Sequence, residues 1–150
     1  MTDEGPLRAV FDTNIIVAAL LSRNTNSPLV ELLSRWRRNE FVLLYCDDLL
    51  AEYREKLIAK RINPAATLAF LRDFTVSPVP VELNPADVLP YVPNDRDDDI
   101  VVACALVGGA THLVTYDPHI QSLGDNFHGM RILDGLHFFY VVRRDTRSTT

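Results

Sequence analysis

Short runs of continuous apolar residues, alternating with segments of helical spacing, constrain the fold of this chain more than any other feature. The clearest run covers residues 41–46, which are apolar at every position. Such a run is typical of a parallel strand that is covered on both faces. Residues 7–11, 112–117 and 130–133 are predicted as further strands. Strands that alternate with helices predict a three-layer α/β/α domain with a central, mainly parallel sheet.

The helical segments carry recognisable start and stop signals. Ser27 and Pro28 are typical of a helix entry, and Gly108 follows an apolar stretch, 100–107, that predicts a buried helix. Other helices are predicted near residues 14–21, 47–60, 65–74 and 118–123, with a last element at 134–142. The remaining predictions are a short edge strand at 79–83, a proline-containing loop at 84–94, a loop at 124–129 and a frayed polar tail from residue 143.

Length and composition fit a soluble globular protein. The chain has 150 residues, of which 47% are hydrophobic, so we expect one domain over residues 1–150, with flexible ends at 1–6 and 143–150. Cys46 and Cys104 lie within apolar segments, which is typical of buried thiols in a reducing compartment. No signal peptide and no apolar run of membrane-spanning length are present, so a cytoplasmic protein is expected.

Acidic side chains follow the predicted strands and open the buried helix. Asp12 ends the first strand, Asp117 ends a later one, and residues 97–99, all aspartates, lead into the buried helix. The carboxyl ends of parallel strands and the first turns of the helices that follow share one edge of a sheet. Glu52 is one turn into the helix after the second strand. We therefore predict a site at which Asp12, Glu52, Asp98 and Asp117 converge.

Carboxylates that lie close together repel one another, and a divalent cation compensates their charge. Oxygen ligands suit Mg²⁺ or Mn²⁺, and the chain offers no histidine or cysteine set spaced for zinc. The predicted metal ligands are Asp12, Asp98 and Asp117, and the predicted supporting residues are Thr13, Asn14 and Thr115. The net charge of −5 argues against a surface that coats nucleic acid but is compatible with a cation-dependent nuclease.

Each acid also has an ordinary structural interpretation. Asp12 could cap the following helix, and the aspartates at 97–99 could interact with a helix dipole, for about 0.3–1 kcal/mol each. Glu52 could pair with Lys56 on a helix surface. The joint placement of Asp12, Asp98 and Asp117 favours the metal site. The histidines have no ligand-like spacing and are predicted to be structural or exposed: His112, His119, His128 and His137.

Four segments occur in a characteristic order, at residues 10–14, 49–52, 95–105 and 113–117. In this order and spacing they resemble the PIN-domain family of metal-dependent ribonucleases, which includes the VapC-like toxin components of bacterial toxin–antitoxin pairs. The resemblance extends over residues 8–140. Tyr116 and His119 depart from the family pattern, at positions where a glycine or arginine and a second charged residue are usual.

The resemblance implies a PIN-like fold, dependence on Mg²⁺ or Mn²⁺, and cleavage of single-stranded RNA at an acidic site of Asp12, Glu52, Asp98 and Asp117. Alignment of residues 103–105 with the small-residue helix of the family selects Asp98 over its two neighbours. A small antitoxin is the implied protein partner, and a homodimer is a further option. Basic residues are expected either to hold the RNA backbone or to form an ordinary solvated surface: Arg35, Arg37, Arg38, Lys56, Lys60 and Arg61.

Two other functions remain open from the sequence alone. An aspartyl-phosphate-type phosphatase also begins with a strand that ends in aspartate, but its second aspartate, two residues later, is Asn14 here. A catalytically silent PIN-like binding module would keep the fold without the chemistry, and the intact acidic set argues against it.

Overall fold

A computed structural model describes residues 5–76 and 80–148. Its centre is a five-stranded sheet in the order β2-β1-β3-β5-β4. The strands are β1 (Arg8–Phe11), β2 (Val42–Leu43), β3 (His112–Val114), β4 (Asn126–Phe127) and β5 (Met130–Leu133). All neighbouring pairs are parallel except β4 with β5. The predicted α/β class with a mainly parallel sheet is therefore confirmed.

Seven helices of the described residues surround this sheet. They are α1 (Thr13–Leu21), α2 (Pro28–Arg37), α3 (Asp47–Ala59), α4 (Pro64–Val76), α5 (Arg96–Val107), α6 (Pro118–Gln121) and α7 (Gly135–Ser148). A 3₁₀ turn, Pro85–Asp87, interrupts the loop before α5. No helix in the described part of the chain is long and apolar enough to cross a membrane.

The core is built from buried side chains of the sheet and of the helices around it. As its all-apolar sequence predicts, α5 is buried from Val101 to Ala105. The ring of Tyr53, on α3, is fully buried, and its hydroxyl donates a hydrogen bond to the Phe11 carbonyl at the end of β1. This bond fixes the helix that carries Glu52 against the strand that ends at Asp12.

The predicted buried thiols are also found. Cys46 and Cys104 are both free and buried. Cys46 immediately precedes α3, Cys104 lies within α5, and both side chains belong to the core.

Two strand predictions need correction. Of the run at 41–46, only Val42–Leu43 forms a strand. The Leu44 N–H also donates to the Ala9 carbonyl at 2.8 Å, and the run is apolar mainly because its side chains are buried in the core. The edge strand predicted at 79–83 is wrong over residues 80–83, which are irregular. The Val81 N–H donates to the Tyr45 carbonyl at 2.7 Å, but Pro80 has no N–H with which to extend a ladder. Val79 lies outside the described residues.

Two further predictions also differ from the structure. The loop predicted at 124–129 contains β4, which pairs with β5 through a tight turn. The polar tail expected from Arg143 is instead helical through Ser148. Val142 is buried and the Arg143 guanidinium lies over the Phe139 ring, so apolar packing carries the helix past the expected boundary.

Candidate metal centre

Asp12 lies between β1 and α1 and is 7% exposed. One carboxylate oxygen accepts a hydrogen bond from the Thr13 N–H at 2.8 Å, and the other accepts one from the Thr115 hydroxyl at 2.7 Å. Burial raises the pKa of Asp12, and these two hydrogen bonds oppose that rise. Asp12 therefore caps α1, as the structural interpretation expected, while it also faces the carboxyl edge of the sheet.

Thr115 joins two of the predicted acids. Its side chain is fully buried just beyond the end of β3. The hydroxyl donates to Asp12 and accepts a hydrogen bond from the Asp117 N–H at 2.9 Å. The Gln121 amide donates to the Thr115 carbonyl at 2.9 Å. This one threonine therefore fixes Asp12 and the backbone of Asp117 relative to each other.

Asp98 lies at the start of α5 and is 8% exposed. Its N–H donates to the side chain of Asp95, which caps the helix, at 3.1 Å. Its carboxylate oxygen Oδ2 is buried, and none of the described residues offers it a hydrogen bond. An unsatisfied buried oxygen is costly, so this atom indicates a missing positive charge or proton donor.

The electrostatics of Asp98 point the same way. Burial, followed by the nearby Asp117 carboxylate, raises the pKa of Asp98 to about 8. Without a cation, the Asp98 carboxyl therefore keeps its proton to a higher pH than an ordinary aspartate does. The oxygens present match the ligands that Mg²⁺ or Mn²⁺ prefers, so the residues fit a bound divalent cation.

Glu52 is half-buried on α3, and its Oε1 accepts a hydrogen bond from the Thr13 hydroxyl at 2.8 Å. Burial raises the pKa of Glu52, and the charges of Asp12 and Asp97 raise it further. Glu52, Lys56 and Asp97 line a cleft of about 300 Å³. Its contact with Thr13 places Glu52 next to Asp12.

The three aspartates at the start of α5 have different surroundings. Asp99 is buried and accepts a hydrogen bond from the Val92 N–H at 2.7 Å, so it anchors the preceding loop. Asp97 is exposed and faces the cleft beside Glu52. Asp98 faces Asp117. The structure thus brings Asp98 to Asp117, and Glu52 to Asp12, while Asn14 is exposed at the start of α1.

His119 was predicted to be structural or exposed, and the structure places it beside two acids. One ligand atom each from Asp98, Asp117 and His119 lie within 4.8 Å of one another. His119 is exposed, as expected, and its N–H donates to Asp117 Oδ1 at 2.7 Å. The signals in the sequence were its position two residues after the strand-ending Asp117 and the charged residue that is usual at this position in the family it resembles.

The predicted basic residues have three different surroundings. Those of α2 and its end form ion pairs: Arg35 with Glu31 and Glu40, Arg37 with Asp73, and Arg38 with Glu40. These three support the ordinary surface interpretation. Lys56 instead lines the cleft beside Glu52. Lys60 and Arg61 lie at the far end of α3 and are exposed.

Comparison with known families gives an independent result. The sequence matches the family model described as the PIN domain over residues 8–119. No curated protein matches the sequence. The matched segment covers most of the chain and includes all the acids described above.

Proposed function

The chain belongs to the PIN domain family, and from that premise we propose that it is a Mg²⁺- or Mn²⁺-dependent endoribonuclease that cleaves single-stranded RNA. PIN domains are generally metal-dependent nucleases, and a buried acidic cluster fits a metal site here. The observation that carries the proposal is the buried, unpartnered Asp98 Oδ2 beside Asp117. A nuclease cation would satisfy this oxygen.

Asp12, Asp98 and Asp117 would hold the cation, and Glu52 would complete the catalytic set. When bound, a divalent cation would lower the pKa of a water molecule and neutralise negative charge on a phosphoryl oxygen of the substrate. Thr115 orients Asp12 and stabilises its ionised form through a hydrogen bond. Thr13 does the same for Glu52 Oε1, which leaves Oε2 to accept the proton of the attacking water. Asn14, at the exposed rim, would contact the substrate.

The surroundings of the site favour a single strand. Tyr116, next to Asp117, is 44% exposed and offers an aromatic face on which an unpaired base can stack. Lys56 offers a positive charge in the otherwise acidic cleft for one backbone phosphate. A duplex keeps its bases stacked within the helix and could not use the aromatic face in this way.

Cleavage of a labelled single-stranded RNA by metal-free protein with added Mn²⁺ tests this activity. The wild type should cleave it to products with 5′-phosphate and 3′-hydroxyl ends, and Asp12→Asn should reduce the rate at least a hundredfold. The matched control is Asp125→Asn, at an exposed aspartate that is not one of the proposed site residues, which should cleave like the wild type. Equal cleavage by wild type and Asp12→Asn would refute the mechanism.

The toxin role is a further part of the proposal, with a small antitoxin as partner and a cytoplasmic location. It follows from the VapC-like pattern of the sequence. Expression of the wild-type chain in bacteria should arrest growth, expression of Asp12→Asn should not, and co-expression of the product of an adjacent small open reading frame should restore growth. If cells continue to grow while they express active enzyme, the toxin role is excluded and the proposed ribonuclease activity still stands.

The aspartyl-phosphate-type phosphatase gains no support from the structure. Such an enzyme needs a positioned general acid near its nucleophile. The residue two positions after Asp12 is Asn14, whose exposed amide cannot donate a proton as a carboxylic acid does.

A further inference from the structure

His119 lies beside the carboxylates of Asp98 and Asp117, although it was predicted to be structural or exposed. One ligand atom of each residue lies within 4.8 Å of those of the other two. His119 Nδ1 is 3.9 Å from Asp117 Oδ1. We propose that His119 is a further ligand of this centre, beside Asp98 and Asp117, and gives it a preference for first-row transition-metal ions such as Mn²⁺ over Mg²⁺. This inference rests on the metal site of the proposed function.

The burial of Asp98 indicates that these three groups form a ligand site rather than a chance grouping of surface side chains. Asp98 is 8% exposed, and its Oδ2 has no hydrogen-bond donor among the described residues. Two ligands of an octahedral ion with bonds of about 2.1 Å are roughly 3–4.2 Å apart. The spacing of the three groups is therefore close to that needed for one ion, with small side-chain rotations.

The local backbone holds Asp117 and His119 on the same side of the chain. The Asp117 N–H is bound by the buried Thr115 hydroxyl, and Asp117 Oδ1 accepts the His119 N–H at 2.7 Å. The His119 side chain is 76% exposed, so its ring can rotate towards an ion without displacing packed neighbours. Asp98 lies in the first turn of α5, so its carboxylate reaches the same point from a different element.

A histidine ligand changes the metal preference of a carboxylate site. Mg²⁺ demands oxygen ligands and keeps much of its water, whereas transition-metal ions accept imidazole nitrogen. An aspartate at position 119 would give an all-oxygen site. The His119→Asp variant therefore keeps a metal-binding side chain while it removes the nitrogen on which the preference depends.

Pulsed electron paramagnetic resonance of Mn²⁺ added to the metal-free protein tests the nitrogen ligand directly. The wild type should show electron spin-echo modulation from a directly bound ¹⁴N nucleus, and His119→Asp should lose it. His137→Gln, at an exposed histidine that pairs with Asp134, is the matched control and should keep the modulation. Bound Mn²⁺ without nitrogen modulation, or modulation that persists in His119→Asp, would overturn the proposal and leave the proposed ribonuclease intact.

Calorimetric titration of the same proteins tests the preference. The dissociation constant for Mn²⁺ should rise by about tenfold or more in His119→Ala, since loss even of a group that only orients a ligand costs ~10–100-fold. The dissociation constant for Mg²⁺ should change much less. In His119→Asp, the dissociation constants for Mn²⁺ and Mg²⁺ should lie closer together than in the wild type. An equal loss of both affinities would contradict the preference. Absence of Mn²⁺ binding by the wild type would overturn both this inference and the metal site on which it rests.

Discussion

The Thr115 hydroxyl donates a hydrogen bond of 2.7 Å to Asp12 Oδ2, and both groups are buried at the carboxyl edge of the sheet. The same hydroxyl oxygen accepts the Asp117 N–H at 2.9 Å. A hydroxyl has one proton to donate, so these two bonds fix its direction. The position of Asp12 therefore depends on a donor that belongs to a neighbouring strand.

Thr115→Val should weaken the centre without removing any proposed ligand. Valine has nearly the shape of threonine but cannot donate to Asp12, so we expect metal affinity to fall by ~10–100-fold. Thr115→Ser keeps the donor and should retain most of the affinity. Calorimetric titration with Mn²⁺ measures both, and equal affinities for wild type and Thr115→Val would show that this bond does not support the site.

Asp98→Asn should stabilise the metal-free protein while it destroys the metal site. The variant removes carboxylate repulsion from Asp117, and relief of an unsatisfied buried group is worth on the order of 1–3 kcal/mol. For a protein of this size, each kcal/mol raises the melting temperature by roughly 2–4 °C. Melting at pH 8 without metal should show this rise, and added Mn²⁺ should stabilise only the wild type. A lower melting temperature for the metal-free variant would contradict this account of Asp98.

The pH dependence of stability should show Asp98 and His112 acting in opposite directions. Asp98 has a pKa of about 8 in the folded protein and near 3.9 when unfolded, so metal-free protein loses stability as pH rises between these values. Burial lowers the pKa of His112 to about 4, against about 6.5 when unfolded, so stability is lost as pH falls from 6.5 towards 4.

His112→Leu isolates the second effect. In the wild type, His112 takes up a proton on unfolding at acidic pH, and the variant has no such group. The free energy of unfolding of the wild type minus that of the variant should therefore be larger at pH 7 than at pH 4. Urea unfolding of both proteins at the two pH values measures it. A difference that does not depend on pH would show that His112 keeps an ordinary pKa in the folded protein.

Tyr53→Phe should destabilise the fold by about 1–3 kcal/mol, because it leaves the buried Phe11 carbonyl without the donor that Tyr53 provides. Tyr140→Phe is the matched control: Tyr140 is exposed, and a surface change of this kind alters stability by less than about 0.5 kcal/mol. Urea unfolding compares the two. An equal decrease in the free energy of unfolding of both variants would indicate that the hydrogen bond of the Tyr53 hydroxyl does not stabilise the fold.

The sequence predicted the parallel sheet because apolar runs and helical spacing are local patterns. It missed β4 because a two-residue strand depends on its partner. The turn between β4 and β5 has positive φ at both His128 and Gly129, the pattern of a two-residue hairpin turn, but histidine is not among the residues that usually signal one.

The acids at the sheet edge were predictable, since strand order and helix starts determine that edge. Which of the three neighbouring aspartates enters the site was not predictable. Whether Asp97, Asp98 or Asp99 faces Asp117 depends on how α5 is rotated about its axis, and Val92 fixes that rotation through Asp99. The approach of His119 depends on the backbone of a single short turn, α6, which no periodic pattern in the sequence describes.

The pairing of β1 with β3 places Phe11 opposite Val114, so Asp12 and Thr115 are the next residues on each strand. A slip of one residue would turn one of them to the other face of the sheet. Correct strand pairing therefore brings Asp12 and Thr115 together directly, whereas Asp98 and His119 reach the centre through α5 and α6. A refolding chain should therefore not recover Mn²⁺ binding before it recovers the native sheet, which makes metal binding a reporter of complete folding.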